Sequence, residues 1–142
     1  MIVHLITSFV ATAAFAILFN APKKTLFQCG FVGMAGWFVY ISLVEYDYDA
    51  VLASFIAAFF IAIISQIFAK MYKTPIIIFS ISGIIPLVPG GTAYDAMRHF
   101  VENDYNTAIQ LAAKAFMISG AIAVGLVISE VLNQLILKIR LK

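Results

Sequence analysis

Charge is what this sequence has least of. Only 11% of its 142 residues are Asp, Glu, Lys or Arg, while 63% are hydrophobic. Soluble domains carry about a quarter charged residues and about half apolar ones. A chain this short cannot bury so much apolar surface within itself, so a soluble globule is excluded and lipid is the implied solvent. Basic residues form no cluster on one face, which leaves out nucleic-acid binding. The single cysteine, Cys29, lies in an apolar run; it has no intramolecular partner and reads as a buried structural thiol. No basic residue precedes the first apolar stretch and no small-residue cleavage site follows it, so that stretch is expected to be a retained helix. Low-complexity tracts, long linkers and clear repeats are missing, and residues 1–142 are expected to form a single transmembrane domain. There is also no Ser-His-Asp set with an elbow, no metal cluster and no phosphate loop, so no enzyme, cofactor or metal is expected.

What is present is a series of apolar segments, each near the roughly 20 residues that span a bilayer. They run from about Ile2 to Asn20, Thr25 to Val44, Ala50 to Ala69, Pro75 to a break near Pro86, and Thr107 to Leu137. The fold class this predicts is all-α: a polytopic bundle of about five spans with a broken fourth helix and a short amphipathic helix after it. The charges between segments orient it. Lys23 and Lys24, then Lys70 and Lys73, then Lys138, Arg140 and Lys142 are basic, whereas Glu45, Asp47 and Asp49 are acidic. Lys and Arg favour the cytoplasmic side. Five spans with the N-terminus outside put seven of the nine basic residues in the cytoplasm, with a cytoplasmic C-terminus in the cell membrane. A re-entrant fourth segment would leave four spans and a basic C-terminus facing outward. Small residues suit close packing in lipid: Gly30, Gly33 and Gly36, then Ala57, Ala58 and Ala62, then Gly120 and Gly125. Trp37, Tyr40, Tyr46 and Tyr48 suit an outer interface.

The informative stretch is Ser82 to Arg98. Pro86 and Pro89 lack amide hydrogens and clash with a preceding helical turn, and Gly90 and Gly91 free the backbone from helical geometry. A helix entering at Pro75 therefore stops near Ile85. Thr92 then reads as an N-cap with Asp95 three residues on. Ala93, Met97, Phe100 and Val101 make the apolar stripe of a helix about three turns long. Free N–H groups at such a helix start suit an anion, and broken helices build substrate sites in secondary transporters. A carboxylate would sit at Gly90-Gly91-Thr92, with Arg98 adding charge. The alternative is that Pro-Gly-Gly only ends a helix at the interface, with Asp95 itself at the anion position.

Pro86-Leu87-Val88-Pro89-Gly90-Gly91-Thr92-Ala93-Tyr94-Asp95-Ala96-Met97 resembles the signature of the threonine/serine exporter family, closest to its small-subunit branch. Phe19-Asn20-Ala21-Pro22, the length and the helix order are similar to that branch too. The resemblance implies export of small hydrophilic metabolites: threonine and serine, or a dicarboxylate such as succinate. It also implies a partner, a second membrane subunit carrying the other half of the exporter. The residues implied for substrate are Pro86, Pro89, Gly90, Gly91, Thr92, Tyr94, Asp95 and Arg98.

Other polar groups in apolar helices are weighed on their own. Lys114 and Glu130 are ionisable groups in the last segment, either functional or snorkelling to an interface; Glu130 is the better site for a proton or cation. Ser80 and Ser82 lie near the break and so could line a pathway, whereas Ser65, Gln66, Ser119 and Asn133 are expected to bond across helices or to their own backbone. His4 and His99 read as interfacial or solvated. Two other functions fit the same residues: a non-transporting scaffold for a partner, and a small-solute channel formed by self-association through the glycine faces.

Overall fold

The computed structural model describes residues 1–140; Lys142 of the basic C-terminus lies outside the described residues. Among these, six α-helices and no strand are present: α1 Ile2–Leu18, α2 Leu26–Glu45, α3 Ala50–Tyr72, α4 Ile76–Ile84, α5 Gly90–Val101 and α6 Tyr105–Arg140. α2, α3 and α6 are long and apolar enough to cross a membrane, and the bent pair α4–α5 is a fourth candidate span when taken together. That makes three or four spans by length and composition rather than the expected five, because α1 is apolar but only 17 residues long, about 26 Å at 1.5 Å per residue.

The helix ends follow from local chemistry. Asn20, Asp47, Lys73 and Asn103 have positive φ of 59°, 61°, 49° and 64°, the left-handed turn that closes a helix. Asp49 Oδ2 accepts a hydrogen bond from the Val51 amide at 3.0 Å and caps α3, a role the acidic loop did not suggest on its own.

Packing uses the absence of side chains. A Cβ on Gly33 would overlap the Thr12 hydroxyl, one on Gly36 would overlap Ile61, and one on Gly30 would lie 2.7 Å from the Phe9 ring. A Cβ on Gly125 would lie 2.8 Å from the Phe55 carbonyl oxygen, so α6 touches the backbone of α3. Gly120 does not share this role. A Cβ there meets nothing, and Gly120 faces an open apolar groove with Leu52, Phe55 and Met117.

α3 and α6 run parallel. Gly125 meets Phe55 and Ala58, Gln66 bonds to Ser129 and Lys70 bonds to Asn133, so both numbers rise together. Between them the chain must return. α4 returns against α2 and α3 and α5 against α6: Ile76 and Ser80 share a groove with Glu130 and Val127, Ile84 and Val88 share one with Leu126 and Ile122, and Ala96 and Phe100 share one with Ala112 and Ala108. The broken segment is thus a crossing and not a re-entrant loop. α2 runs opposite to α3, since Gly36 faces Ile61 and the Phe31 ring lies tilted against Phe68. The result is a molecule with two ends. Lys23, Lys24, Lys70, Lys73, Lys138 and Arg140 gather at one, and Glu45, Asp47, Asp49, Glu102 and Asp104 at the other.

Candidate transport site

α4 has nine residues, about 13 Å, or half a bilayer core. Its continuation is a 3₁₀ turn, Ile85–Leu87, and α5 leaves at an angle of 47°. Pro86 and Pro89 explain the stop, because neither can donate to a helical carbonyl. Gly83, three residues before Pro86, lies against Ile61 of α3. Non-helical backbone in a membrane is tolerated where protein or a wet cavity covers it. Here Val88 and Pro89 border a cavity of about 250 Å³ with Ser119, Ile122, Ala123 and Leu126.

The start of α5 differs from the expectation. The helix begins at Gly90 with Pro89 as its N-cap and no side-chain cap. Thr92 is therefore not the cap, and no capping box joins it to Asp95. Pro89 already has a fixed φ, so its carbonyl takes the Ala93 amide at 3.0 Å and starts the helix two residues early. Gly90 and Gly91 are consequently helical with negative φ, rather than a released turn. Their amides divide: Gly90 N–H reaches the Val88 carbonyl at 2.8 Å, while those of Gly91 and Thr92 find no carbonyl partner among the described residues. A Cβ on either glycine would meet nothing within 4 Å. Neither φ nor packing within this chain requires glycine here, which leaves a bare patch of backbone with two free donors facing outward.

The structure does not bring Arg98 to this patch. It lies eight residues from Gly90, about 12 Å along the helix, and pairs with Glu102 at 3.6 Å. Tyr94 is 68% exposed and Asp95 is partly buried near the patch. The packed face of α5 centres on Ala96 rather than on the expected stripe: Met97 and Phe100 flank it, and Ala93 and Val101 stay exposed. Only a residue as small as Ala96 lets the two backbones approach along Ala108 and Ala112.

At the far end of α5, His99 Nδ1 lies 3.3 Å from Asp104 and 3.9 Å from Glu102. Asp104 Oδ1 accepts from the Thr107 amide at 3.3 Å and caps α6. Its carboxyl is held below the ordinary range, first by the Thr107 hydroxyl and amide and then by His99.

The remaining sequence-predicted groups separate into two kinds. Ser82 is fully buried and donates to the Ile78 carbonyl at 2.6 Å, so it faces the bundle interior and its own backbone. Lys114 is exposed on α6, away from the break. Ser80 and Glu130 do come together, in a groove of about 250 Å³ between α3, α4 and α6 that Gln66 also lines. Gln66 was legible only as a cross-helix bonder. The signal for more was the matched spacing of Gln66 and Lys70 with Ser129 and Asn133, four residues apart on each helix.

The family model described as threonine/serine exporter, ThrE, matches residues 4–132. The chain belongs to the threonine/serine exporter family. It is thus a membrane protein of a transport family, in keeping with its apolar helices. No solved structure matches this exporter-family chain.

Proposed function

We propose that this chain is one subunit of a two-component secondary exporter of small hydrophilic metabolites, threonine and serine or a dicarboxylate such as succinate. The substrate carboxylate docks at the start of α5, on the free amides of Gly91 and Thr92, beside the break formed by Pro86 and Pro89. Tyr94 and Asp95 stand on the first turn of the same helix, where Asp95 can take a substrate amine. Arg98, tied to Glu102, acts further along as an electrostatic guide.

The observation that carries this reading is the uncovered start of α5. A helix N-terminus with free donors favours an anion, and inside a membrane-spanning bundle those donors need a partner. α5 packs on α6 and otherwise has open faces, with Tyr94, Met97, Phe100 and Val101 all more than half exposed. A second membrane subunit closes that side and completes the site. The basic end faces the cytoplasm of the cell membrane, by the bias of Lys and Arg, which puts the N-terminus outside.

Efflux of labelled threonine, serine and succinate from loaded cells tests the reading. Efflux is expected only when this chain and its partner half are both in the membrane. Flux from this chain alone would overturn the two-component reading in favour of a self-associated channel. Equal efflux when unrelated helices stabilise the partner would make this chain a scaffold.

A further inference from the structure

A second polar place lies apart from the α5 turn. Glu130 is the only ionisable residue between Lys114 and Lys138 on α6, and it lines the groove shared by α3, α4 and α6. A carboxylate on an apolar membrane-spanning helix is costly and marks function by default. Its one hydrogen bond in the described residues comes from Gln134 Nε2 to Oε1 at 3.1 Å, which leaves Oε2 without a donor.

Two further polar residues line the same groove from the other two helices. Gln66 is only 9% exposed. Its Nε2 is spent on the Ser129 carbonyl and hydroxyl at 3.1 and 3.3 Å, and its Oε1 receives no hydrogen bond among the described residues. That oxygen is not fully enclosed, so it is open to a polar partner. Ser80 is the third. Serines in apolar helices usually bond back to a carbonyl one turn earlier, as Ser42, Ser54 and Ser82 do. Ser80 makes no such bond, so its hydroxyl is available to the groove.

We infer that Glu130, Gln66 and Ser80 form a site for a monovalent cation, a proton or sodium, whose binding drives export. This rests on the exporter reading above. One carboxylate matches one positive charge, and three oxygens from three helices suit a small hard cation. Few charges face the site: α4 carries none. On α3 the nearest is Lys70, one turn toward the basic end and occupied by Asn133 Oδ1 at 3.3 Å. Ser80 stands one helical turn before the end of α4, so an ion there fixes α4 against α3 and α6. The joint at Pro86–Pro89, and the start of α5 beyond it, then feel whether the site is filled. That is the differential contact two coupled sites require.

Two measurements test this. The first is infrared difference spectroscopy of the full chain in lipid, with a pH jump without sodium and a sodium jump at fixed pH. Wild type is expected to give a carboxyl response to one of the two jumps, which identifies the ion, and Glu130→Gln is expected to lose it. An identical response in Glu130→Gln, or none in wild type, would overturn the site. The second uses the chain with its partner half in vesicles. Glu130→Gln should keep labelled-substrate exchange within twofold of wild type and lose at least tenfold of gradient-driven transport. Unchanged gradient-driven transport would sink the coupling role. If wild type exchanges no threonine, serine or succinate, the exporter reading fails while the infrared result still decides the cation site.

Discussion

At the scale of single residues, the glycines divide by what surrounds them. Gly125 sits against the Phe55 carbonyl and Gly33 against Thr12, whereas Gly90 and Gly91 face open space. Gly125→Val should therefore cost about 1–3 kcal/mol through overpacking, read as a lowered unfolding temperature in detergent. Gly90→Ala and Gly91→Ala should leave that temperature unchanged, since alanine favours a helix, and yet cut export severely. Export at wild-type level in both would remove the α5 turn as the anion site. Asp104 gives a pH dependence. Its folded carboxyl titrates below the unfolded one, so its contribution is present above the usual carboxylate pKa, near 4, and is lost as pH falls through the lower folded value. Hydrogen exchange at the first turn of α6 should stay slow down to about pH 4 and quicken below it. Asp104→Asn should already exchange faster at neutral pH.

At the scale of elements, the parallel contact of α3 with α6 decides the path of the chain. Lys70→Cys with Asn133→Cys should cross-link readily under mild oxidation in a Cys29→Ser background. Lys70→Cys with Tyr105→Cys should not, because Tyr105 lies at the opposite end of α6. The reverse pattern would contradict parallel packing. The bond from Gln66 to the Ser129 hydroxyl is expected to contribute about 0.6 kcal/mol, the usual size for such bonds in lipid, in a double-mutant cycle of Gln66→Leu with Ser129→Ala. The broken pair α4–α5 shows local chemistry at work. Pro86 and Pro89 stop one helix where the sequence places the stop, yet the second starts at Gly90, two residues before Thr92, because the Pro89 carbonyl was free to accept Ala93.

At the scale of the whole molecule, charge separates the two ends. Cysteines placed at Lys24, Lys73 and Arg140 should react with an impermeant thiol reagent from one side of the membrane, and those at Asp47 and Asn103 from the other. Labelling of Lys73→Cys and Asn103→Cys from the same side would restore the re-entrant reading. The open side of α5 predicts that its exposed residues, Tyr94 and Met97 above all, become protected when the partner half is present.

The sequence by itself determined the solvent, the helix count to within the short α1, and the position of the break. Those depend on composition, on segment length against bilayer thickness, and on proline's missing amide, all of which are local. It also carried the family resemblance in the Pro86–Met97 stretch, which the match over residues 4–132 bears out. Tertiary structure alone decided that the broken segment crosses, that Arg98 stands apart from the α5 turn, and that Ser80 and Glu130 share a groove with Gln66. Residues 14 and 50 positions apart in the chain meet there because helices pack by shape. Which faces meet depends on where a glycine or alanine lets two backbones approach, and no pattern along one helix contains its neighbour.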